Sequence, residues 1–467
     1  MPQTIKQLLL INPWIYDFTA FDLWSKPLGL LYIAALLRKF AYQITFIDCL
    51  DNHTLKKKKY GQGKIQRTIV DKPEILNHIP RQFARYGISE DELKFKITQA
   101  PPPDAVLVTS MMTYWYPGPQ HVVDIVKHLL PGVPVILGGI YASLLPDHAL
   151  KQVQPDYIIE GPGESAVIKL LADLLHSSNN PPDLPQSLDD YPYPAFDILS
   201  PPHYTVVLTS RGCPFDCSFC AQKLISMPFN QRNPDCVVDE IYTHYRKYQV
   251  CDIAFYDDAL FINRDKHIKV ILKKLLDLRM PLRFHTPNGL FAGQIDLELA
   301  QLMRQSGFRT IRLSYETINK KKQREMSNKI SDDAIFEAVN HLNSAGYQKK
   351  ELEAYVIMGL PDQAPEEVLE SMIFINNLGI RIRLASYSPI PGTLDFNRAV
   401  SSGLIEPDID PLLTNKSIFP LQSPENYGIY RNLRLVQNLL NQAVMHAYSP
   451  FSDPLMKKVL RRIDDRK

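Results

Sequence analysis

Strand-like runs and helical segments alternate along most of this chain, and this alternation restricts the folds available to it. In the first part, apolar runs at 6–14 and 42–50 flank a helical pattern at 28–40. About fifty polar residues without a strong period follow residue 50. Because strands that alternate with helices assemble into parallel sheets, residues 1–177 are predicted to form a doubly wound, Rossmann-like α/β domain. Its further strands are predicted at 104–110, 134–139 and 156–160, and its further helices at 120–130 and 165–176.

A cluster of prolines then breaks the alternation. Seven prolines fall between residues 179 and 203, where the apolar periodicity is lost. Proline fixes φ and has no N–H donor, so residues 178–203 are predicted to be a semi-rigid linker to a second domain.

The alternation restarts after the linker with six further strands. They are predicted at 205–209, 252–256, 282–285, 310–313, 354–358 and 383–387. Six β/α units predict a partial (β/α)6 barrel over 204–395, in which functional residues follow the carboxyl ends of the strands. Residues 396–467 are predicted to be a C-terminal helical segment with one long helix at 429–447.

The composition excludes several classes of protein. Of 467 residues, 45% are hydrophobic and 22% are charged, as in globular domains. The formal net charge is +2 and no apolar run is long enough to span a bilayer, so neither nucleic acid nor a membrane is an expected partner. Six cysteines are too few for a disulfide scaffold, and no signal-peptide pattern is present. The protein is therefore predicted to be cytoplasmic.

The segment RGCPFDCSFC at 211–220 carries the strongest functional signal. It follows the first barrel strand and places Cys213, Cys217 and Cys220 in the spacing C-x3-C-x2-C. An iron–sulfur cube normally takes four cysteines, so three leave one iron open, which is typical of a catalytic metal site. The alternative is a zinc site built from these cysteines and His203 or another residue, although zinc sites usually show paired C-x2-C elements.

With the aromatic Phe219 before the last cysteine, this spacing resembles the signature of the radical S-adenosylmethionine (SAM) enzymes. The resemblance implies a 4Fe–4S cluster whose open iron binds the amino and carboxylate groups of SAM. Cleavage of SAM by an electron then yields a 5′-deoxyadenosyl radical that abstracts hydrogen from unactivated carbon. The resemblance also implies a small-molecule substrate and an electron donor such as flavodoxin or ferredoxin.

Residues after later strands match the same family, and the resemblance covers about residues 204–395. Asp257 and Asp258 end the second strand, where relatives hold the ammonium group of SAM. Glu316 follows the fourth strand and matches a residue that hydrogen-bonds the ribose, and Gly359 ends the fifth strand beside the adenine. Either aspartate could instead cap the next helix. No catalytic side chain beyond these cofactor residues is identified.

Glycine-containing loops follow the strands of the front domain, where an open parallel sheet binds its ligand. Because the cysteine loop stands behind it, this domain resembles that of the cobalamin-binding class of radical SAM enzymes. The resemblance implies that cobalamin binds at these loops. The residues that would contact it are Ser110, Gly138, Gly139, Gly161, Gly163 and Glu164.

The front domain departs from one known cobalamin motif. The motif Asp-x-His-x-x-Gly supplies a cobalt ligand in some cobalamin proteins. The segment DNHTLK at 51–56 comes close, but Lys56 replaces the glycine. We interpret His53 as a loop histidine and expect cobalamin to bind without a histidine on cobalt. The departure leaves open a domain that has lost cobalamin.

Together, these patterns predict a cobalamin-dependent radical SAM enzyme that methylates or rearranges an unactivated carbon of a small molecule, with methylation as the commonest outcome in this class. Two alternatives remain open at this stage. One is a radical SAM enzyme whose front domain binds substrate and not cobalamin. The other is an iron–sulfur electron-transfer or redox-sensing protein. The aromatic run at 114–116 could wall the cofactor or the substrate pocket, although such residues more often belong to a core.

Overall fold

Two parallel sheets, one in each half of the chain, form the framework of the computed structural model. The structure describes residues 6–51, 59–175, 184–200, 202–327, 331–422, 426–447, 450 and 456. A Rossmann-like sheet is followed by a partial barrel and a helical C-terminal segment, so the fold class predicted from the sequence is confirmed.

The elements of the first half occur in the order expected for a doubly wound domain. Its strands are β1 (Gln7–Asn12), β2 (Ile15–Asp17), β3 (Phe21–Asp22), β4 (Gln43–Asp48), β5 (Gly63–Lys64), β6 (Arg67–Val70), β7 (Phe83–Tyr86), β8 (Ala105–Val108), β9 (Val135–Leu137) and β10 (Tyr157–Ile158). Its helices are α1 (Leu28–Lys39), α2 (Glu90–Gln99), α3 (Pro117–Leu129), α4 (Ile140–Leu144), α5 (Pro146–Gln152) and α6 (Gly163–Leu174). The main sheet has the order β10-β9-β8-β1-β4, and all its pairs are parallel.

Helices cover both faces of this sheet because its strands are apolar on both sides. β1 has the sequence QLLLIN, and all its residues except the first are buried. α1 and α6 pack on one face of the sheet, whereas α2, α3 and α5 pack on the other. A parallel strand that is buried on both faces appears in the sequence as a continuous apolar run.

The second half contains the barrel. Its strands are β11 (Thr205–Val207), β12 (Ser210–Arg211), β13 (Asn230–Gln231), β14 (Asp252–Phe255), β15 (Arg283–His285), β16 (Phe308–Glu316), β17 (Leu352–Met358) and β18 (Arg381–Ser386). Its helices are α7 (Gln222–Ile225), α8 (Pro234–Tyr248), α9 (Ile268–Asp277), α10 (Leu297–Ser306), α11 (Lys320–Glu325), α12 (Asp332–Ser344), α13 (Pro365–Asn377), α14 (Leu394–Ser401) and α15 (Tyr427–His446). The parallel barrel sheet has the order β11-β14-β15-β16-β17-β18.

The long C-terminal helix predicted from the sequence is α15, and it packs against the last strand of the barrel. The side-chain amide of Asn441 accepts a hydrogen bond from the Ile382 N–H at 2.7 Å and donates one to the Ile382 carbonyl at 2.8 Å. This pairing covers the open edge of β18. None of the helices in the described part of the chain combines the length and the apolar character that a membrane span requires.

The stretch after residue 50 shows no strong period in the sequence. Residues 63–99 nevertheless contain regular structure. β2, β7 and β6 form an antiparallel sheet. Ser89 caps the N-terminus of α2, and its hydroxyl accepts a hydrogen bond from the Glu92 N–H at 3.1 Å. These strands are short and β6 is largely exposed, so they lack the apolar run that makes a strand recognisable.

The described part of the proline-rich linker packs against both halves of the chain. The Ala195 N–H donates to the Leu31 carbonyl of α1 at 3.2 Å, and Asp189 accepts from the Arg232 side chain of the barrel at 3.3 Å. Phe196 is fully buried. The linker therefore fastens one domain to the other. The domain boundaries at 177, 203 and 395 themselves stay a prediction.

The front domain closes the inner face of the barrel sheet. Successive side chains of a strand point to opposite faces, and those of the outer face pack under the barrel helices. On the inner face, Val206 and Ala254 pack against Trp24 and Leu28 of the front domain. The Trp24 ring also stacks on His285 at 4.6 Å. The front domain therefore fills part of the barrel interior, and ligands can bind in the part that it does not fill.

Candidate active site

The cysteine loop lies where barrel strands place their functional side chains. It runs from the carboxyl end of β11 through β12 to α7, so Cys213, Cys217 and Cys220 all follow the first barrel strand. The first two are half-buried and Cys220 is exposed. The predicted cluster residues are thus at the edge of the sheet that carries the active sites of barrel enzymes.

Contacts from later barrel elements hold this loop in place. The Cys217 thiol donates to the Met326 carbonyl oxygen across 3.7 Å, and the Ser218 hydroxyl donates to Asp395 at 2.9 Å. In return, the Asp395 N–H donates to the Ser218 carbonyl at 3.0 Å. The loop is thereby tied to the end of α11 and to the start of α14.

An apolar cluster lies beside the loop and fits a water-sensitive metal cofactor. Cys217 and Phe219 both pack against it. Apolar surroundings exclude water and strengthen the electrostatic interactions of bound groups. The cluster contains Met326, Ile357, Leu360, Tyr387, Phe396, Ala399, Ile405 and Leu421.

The zinc alternative finds no support in the described residues. His203 precedes β11 whereas the cysteines follow it, so the strand separates them. Sulfur ligands of one zinc ion lie about 2.3 Å from it, and the described residues contain no group of three or more His, Cys, Asp or Glu side chains that could hold one ion. Thiolates that bind three different irons of a cube need not converge so closely, so this finding does not bear on the predicted cluster.

The two aspartates after β14 have different environments. Asp257 is 4% exposed, and its carboxylate accepts from the Thr209 hydroxyl at 2.7 Å and from the Ser210 hydroxyl at 2.6 Å. Burial raises the pKa of Asp257, and the hydrogen bonds from Ser210 and Thr209 oppose that rise. Asp258 is exposed and accepts from the Gln222 side-chain amide at 2.6 Å. Asp257 therefore fastens the end of β11. The contact of Asp258 with the ammonium group of SAM stays a prediction.

Glu316 and Gly359 end neighbouring strands. In the parallel register of β16 and β17, Glu316 pairs with Val356, three residues before Gly359. Glu316 has a φ of +70°, a left-handed conformation that is uncommon outside glycine and is often found at functional sites. Gly359 has a φ of +91°, and a Cβ there would meet no atom within 4 Å, so the space beside it is open. The proposed contacts of these residues with ribose and adenine stay predictions.

The glycine-containing loops of the front domain meet at the carboxyl ends of β8 and β9. The Ser110 hydroxyl donates to the Gly138 carbonyl at 2.7 Å and accepts from the Ala142 N–H at 3.2 Å. Gly139 has a φ of +96°, and a Cβ there would lie 2.2 Å from the Ser110 carbonyl oxygen, so glycine is required. Ser110 thus supports the loops from beneath, and the glycines form their surface.

A cavity of about 370 Å³, the interdomain cavity, lies between these loops and the cysteine loop. Its front-domain wall includes Gly138, Gly139, Gly161, Gly163 and Glu164. Its barrel wall includes Arg211, Gly212, Gln222, Met227 and Asp258. A wall of glycine backbone fits a bulky ligand because side chains at these positions would fill the space. The predicted cobalamin residues other than Ser110 therefore face the start of the cysteine loop across one cavity. Their contact with cobalamin stays a prediction.

An ion pair joins the two domains at this cavity. Arg211 Nη1 lies 2.6 Å from Glu164 Oε1, and the two side chains are 17% and 8% exposed. The Arg211 guanidinium also lies over the rings of Tyr32 and Tyr191, at 5.0 and 5.4 Å. This role of Arg211 could not be predicted from the sequence, because the contact depends on how the domains dock and no local motif marks it.

Replacing Glu164 with glutamine is expected to lower the free energy of unfolding by about 2 kcal/mol, because it leaves the largely buried Arg211 without its carboxylate. Urea unfolding measures this loss. In a double-mutant cycle with Arg211→Gln, the combined loss should be smaller than the sum of the single losses. Glu160→Gln, at an exposed position in the same segment, is the matched control and should change little. Additive losses in the cycle would contradict a direct interaction.

Two residues of the aromatic run at 114–116 belong to the core, and the third, Trp115, lines a cavity. Tyr114 and Tyr116 are 2% and 7% exposed and belong to the core. Trp115 is half-buried, and its Nε1 donates to Asp17 at 2.7 Å. The expected mixture of core and pocket roles is therefore seen. The predicted loop histidine, His53, lies outside the described residues.

A second cavity of about 740 Å³, the inner cavity, lies on the inner face of β16, β17 and β18. It is enclosed by residues 19–21, Leu23 and residues 79–81 of the front domain, by Trp115 and by one side of α15. Ala385 lines this cavity and also packs against the apolar cluster that contacts Cys217 and Phe219. The inner cavity thus approaches the cysteine loop from inside the barrel, and its volume suits a small-molecule substrate.

Two protein families match the chain in sequence. The radical SAM superfamily matches residues 207–375, and the B12 binding domain matches residues 88–171. The first range contains the cysteine loop and the predicted SAM residues. The second contains all the predicted cobalamin residues.

Individual proteins resemble the chain over most of its length. An uncharacterized methyltransferase of Pyrococcus horikoshii is 26% identical over 360 residues, covering 68% of this chain and 75% of that protein. The cytidylyl-2-hydroxyethylphosphonate methyltransferase of Streptomyces wedmorensis is 23% identical over 471 residues, covering 86% of this chain and 83% of that protein. Among solved structures, the radical SAM methyltransferase TsrM of Kitasatospora setae, with cobalamin and a 4Fe–4S cluster bound, matches with a TM-score of 0.64 at 14% identity. That match covers 99% of this chain and all of the other, so the two share a fold.

Proposed function

This chain belongs to the radical SAM superfamily and carries a B12-binding domain in front of its barrel, and from this premise we propose that it methylates a carbon atom of a small molecule. Its cofactors are a 4Fe–4S cluster, SAM and cobalamin. When bound, the reduced cluster supplies the electron that cleaves SAM, and cobalamin supplies a carrier for the methyl group.

The interdomain cavity is the observation that carries this proposal. Its glycine wall belongs to the B12-binding domain, and its opposite wall begins at Arg211 and Gly212, next to the first cysteine. Transfer of a methyl group from SAM to cobalamin requires that the two cofactor sites adjoin. A shared cavity between the two sites supports that arrangement, whereas a separate substrate-binding module would not need it.

The chain's own residues have distinct roles in this proposal. The three cysteines hold three corners of the cluster, Asp258 accepts from the ammonium group of SAM, and Glu316 accepts from its ribose. The apolar cluster beside Cys217 keeps water away from the reacting groups. The backbone at Gly138 and Gly139 gives cobalamin a close approach to the sheet.

The overall reaction balances with two molecules of SAM and two electrons. One SAM gives its methyl group and leaves as S-adenosylhomocysteine. The other is cleaved to methionine and 5′-deoxyadenosine, which carries away the hydrogen atom of the substrate carbon. We propose a flavodoxin or ferredoxin as the electron donor, and the reducing cytoplasm as the compartment, because the cluster thiols must stay reduced.

Anaerobic reconstitution of the full chain with iron, sulfide and cobalamin tests the proposal. We expect one cobalamin per chain by absorbance, and formation of both 5′-deoxyadenosine and S-adenosylhomocysteine after reduction with SAM present. Formation of 5′-deoxyadenosine without bound cobalamin would assign the front domain to substrate binding instead. A reduced cluster that leaves SAM intact would indicate an electron-transfer or sensing protein.

A further inference from the structure

The inner cavity carries a strong excess of positive charge. Six basic side chains line it, and the described lining residues include no aspartate or glutamate. They come from the front domain, from β16, from β18 and from the C-terminal segment. The six are Arg81, Arg312, Arg383, Lys416, Arg431 and Arg434.

Among the described residues, Glu353 is the one carboxylate that pairs with the cavity arginines of the barrel strands, Arg312 and Arg383. Glu353 accepts from Arg312 Nε at 3.2 Å and from Arg383 Nε at 3.0 Å. It also pairs with Arg381 at 3.1 Å. One negative charge is therefore shared among three guanidinium groups, and the barrel side of the cavity keeps a net positive charge.

The other basic residues of the lining have no carboxylate within ion-pair distance in the described part of the chain. Arg81 donates to the Ser417 carbonyl at 2.8 Å and to the Thr19 hydroxyl at 3.1 Å, and Arg434 donates to the Ser386 hydroxyl at 2.7 Å. Burial lowers the pKa of both arginines.

Repulsion between the arginines of the cavity lowers their pKa values further. The charge of Arg431 lowers the pKa of Arg81, and the charge of Arg81 lowers that of Arg434. Asp17 opposes the shift at Arg81, but its oxygens already accept from Trp115 at 2.7 Å and from Asn415 at 3.1 Å. Arg81 is half-buried, whereas Arg431 and Arg434 are exposed. Like charges that repel one another destabilise a protein, and a bound anion relieves that cost.

We propose that the inner cavity binds an organic anion, that its phosphate, phosphonate or carboxylate group is held by Arg81, Arg431 and Arg434, and that this anion is the substrate. The guanidinium group suits such oxyanions because its N–H donors match their geometry. The identification as substrate rests on the proposed function and on Ala385, which lines the cavity and packs against the same apolar cluster as Cys217. The anion site itself does not depend on that function.

Binding of three matched probes to the reconstituted full chain tests the proposal without turnover. Phenyl phosphate, phenylacetate and benzyl alcohol share one ring and differ in charge, and isothermal titration calorimetry measures their affinities. We expect the anions to bind at least about tenfold more tightly than benzyl alcohol. A preference for phenyl phosphate identifies a phosphoryl or phosphonyl substrate, and a preference for phenylacetate identifies a carboxylate. Equal affinity for all three overturns the proposal.

Single substitutions then test whether the anion binds in the inner cavity. Arg434→Gln and Arg431→Gln should each weaken anion binding about tenfold, and Arg434→Gln should keep or raise the thermal midpoint of unfolding because it removes a repelled charge. Arg246→Gln, at an exposed position on α8, should leave anion affinity unchanged. Unchanged anion affinity in the Arg434→Gln and Arg431→Gln variants would overturn the proposal. Loss of cobalamin from these variants would also overturn it, because the arginines would then bind cobalamin.

The outcome is distinguishable from that of the proposed function. Charge-selective binding in a chain that forms no 5′-deoxyadenosine would remove the proposed reaction and leave the anion site. Cleavage of SAM by a chain without charge-selective binding would remove the anion site and leave the proposed reaction.

Discussion

Replacing Cys217 with alanine is expected to remove the iron–sulfur cluster and to reduce cleavage of SAM to the level of a reaction without enzyme. The three cysteines of one loop supply all the protein thiolates of the proposed site, so the variant leaves a second iron without a protein ligand. Iron and sulfide content per chain measure the first effect. The amount of 5′-deoxyadenosine formed after anaerobic reduction measures the second.

Cys236→Ala is the matched control for this variant. Cys236 is half-buried, like Cys217, but it lies on α8 and outside the loop. It should keep both the cluster and the cleavage of SAM. A far-ultraviolet circular dichroism spectrum that is the same for both variants would separate loss of the cluster from loss of the fold. Retained SAM cleavage in Cys217→Ala, or stoichiometric zinc in the unmodified protein, would contradict the assignment of this site.

The strands of both main sheets could be predicted because they are parallel and largely buried on both faces. β8 is a run of four buried apolar residues, AVLV, and such a run has no counterpart in the loops around it. The cysteine spacing is equally local, so the position of the loop after β11 followed from the sequence. These features depend on neighbours in the chain alone.

The antiparallel strands β6 and β7 could not be predicted on the same basis. Their pairing, for example Ile69 with Ala84, depends on a partner strand, and Ile69 is 56% exposed. No alternation of buried and exposed residues marks β6 in the sequence. The packing of the proline-rich linker against both domains could not be predicted either, because the burial of Phe196 depends on the two domains that meet around it.

The residues of the two cavities could be predicted only in part, for a related reason. The glycines of the interdomain cavity follow strand ends, and their positions are therefore local. Arg81 lies 302 residues before Arg383, which lies 51 residues before Arg434. Only the docking of the front domain and α15 onto the barrel brings these arginines together. Similarly, Asp257 and Asp258 look equivalent in the sequence, and only the fold shows that the first is enclosed by Thr209 and Ser210.

Replacing Gly138 with phenylalanine is expected to lower the affinity for cobalamin at least about tenfold while the cluster and the cleavage of SAM persist. Gly138 lines the interdomain cavity, and its backbone is outside the left-handed region. A Cβ at this position would meet only Ile159 atoms, at 3.8 and 3.9 Å, which is ordinary contact. The Cβ of a larger side chain is therefore tolerated, and the rest of that side chain would occupy space on the glycine wall.

The measurement is the amount of cobalamin retained after gel filtration, together with a titration of the cobalamin-free protein. Gly138→Ala is the matched control, because its methyl group fits beside Ile159 and should cost little in stability or in affinity. Because the cysteine loop lies on the opposite wall, iron content and the yield of 5′-deoxyadenosine should be unchanged in both variants, whereas S-adenosylhomocysteine should fall only in Gly138→Phe. Full retention of cobalamin by the phenylalanine variant would show that the corrinoid does not occupy this cavity.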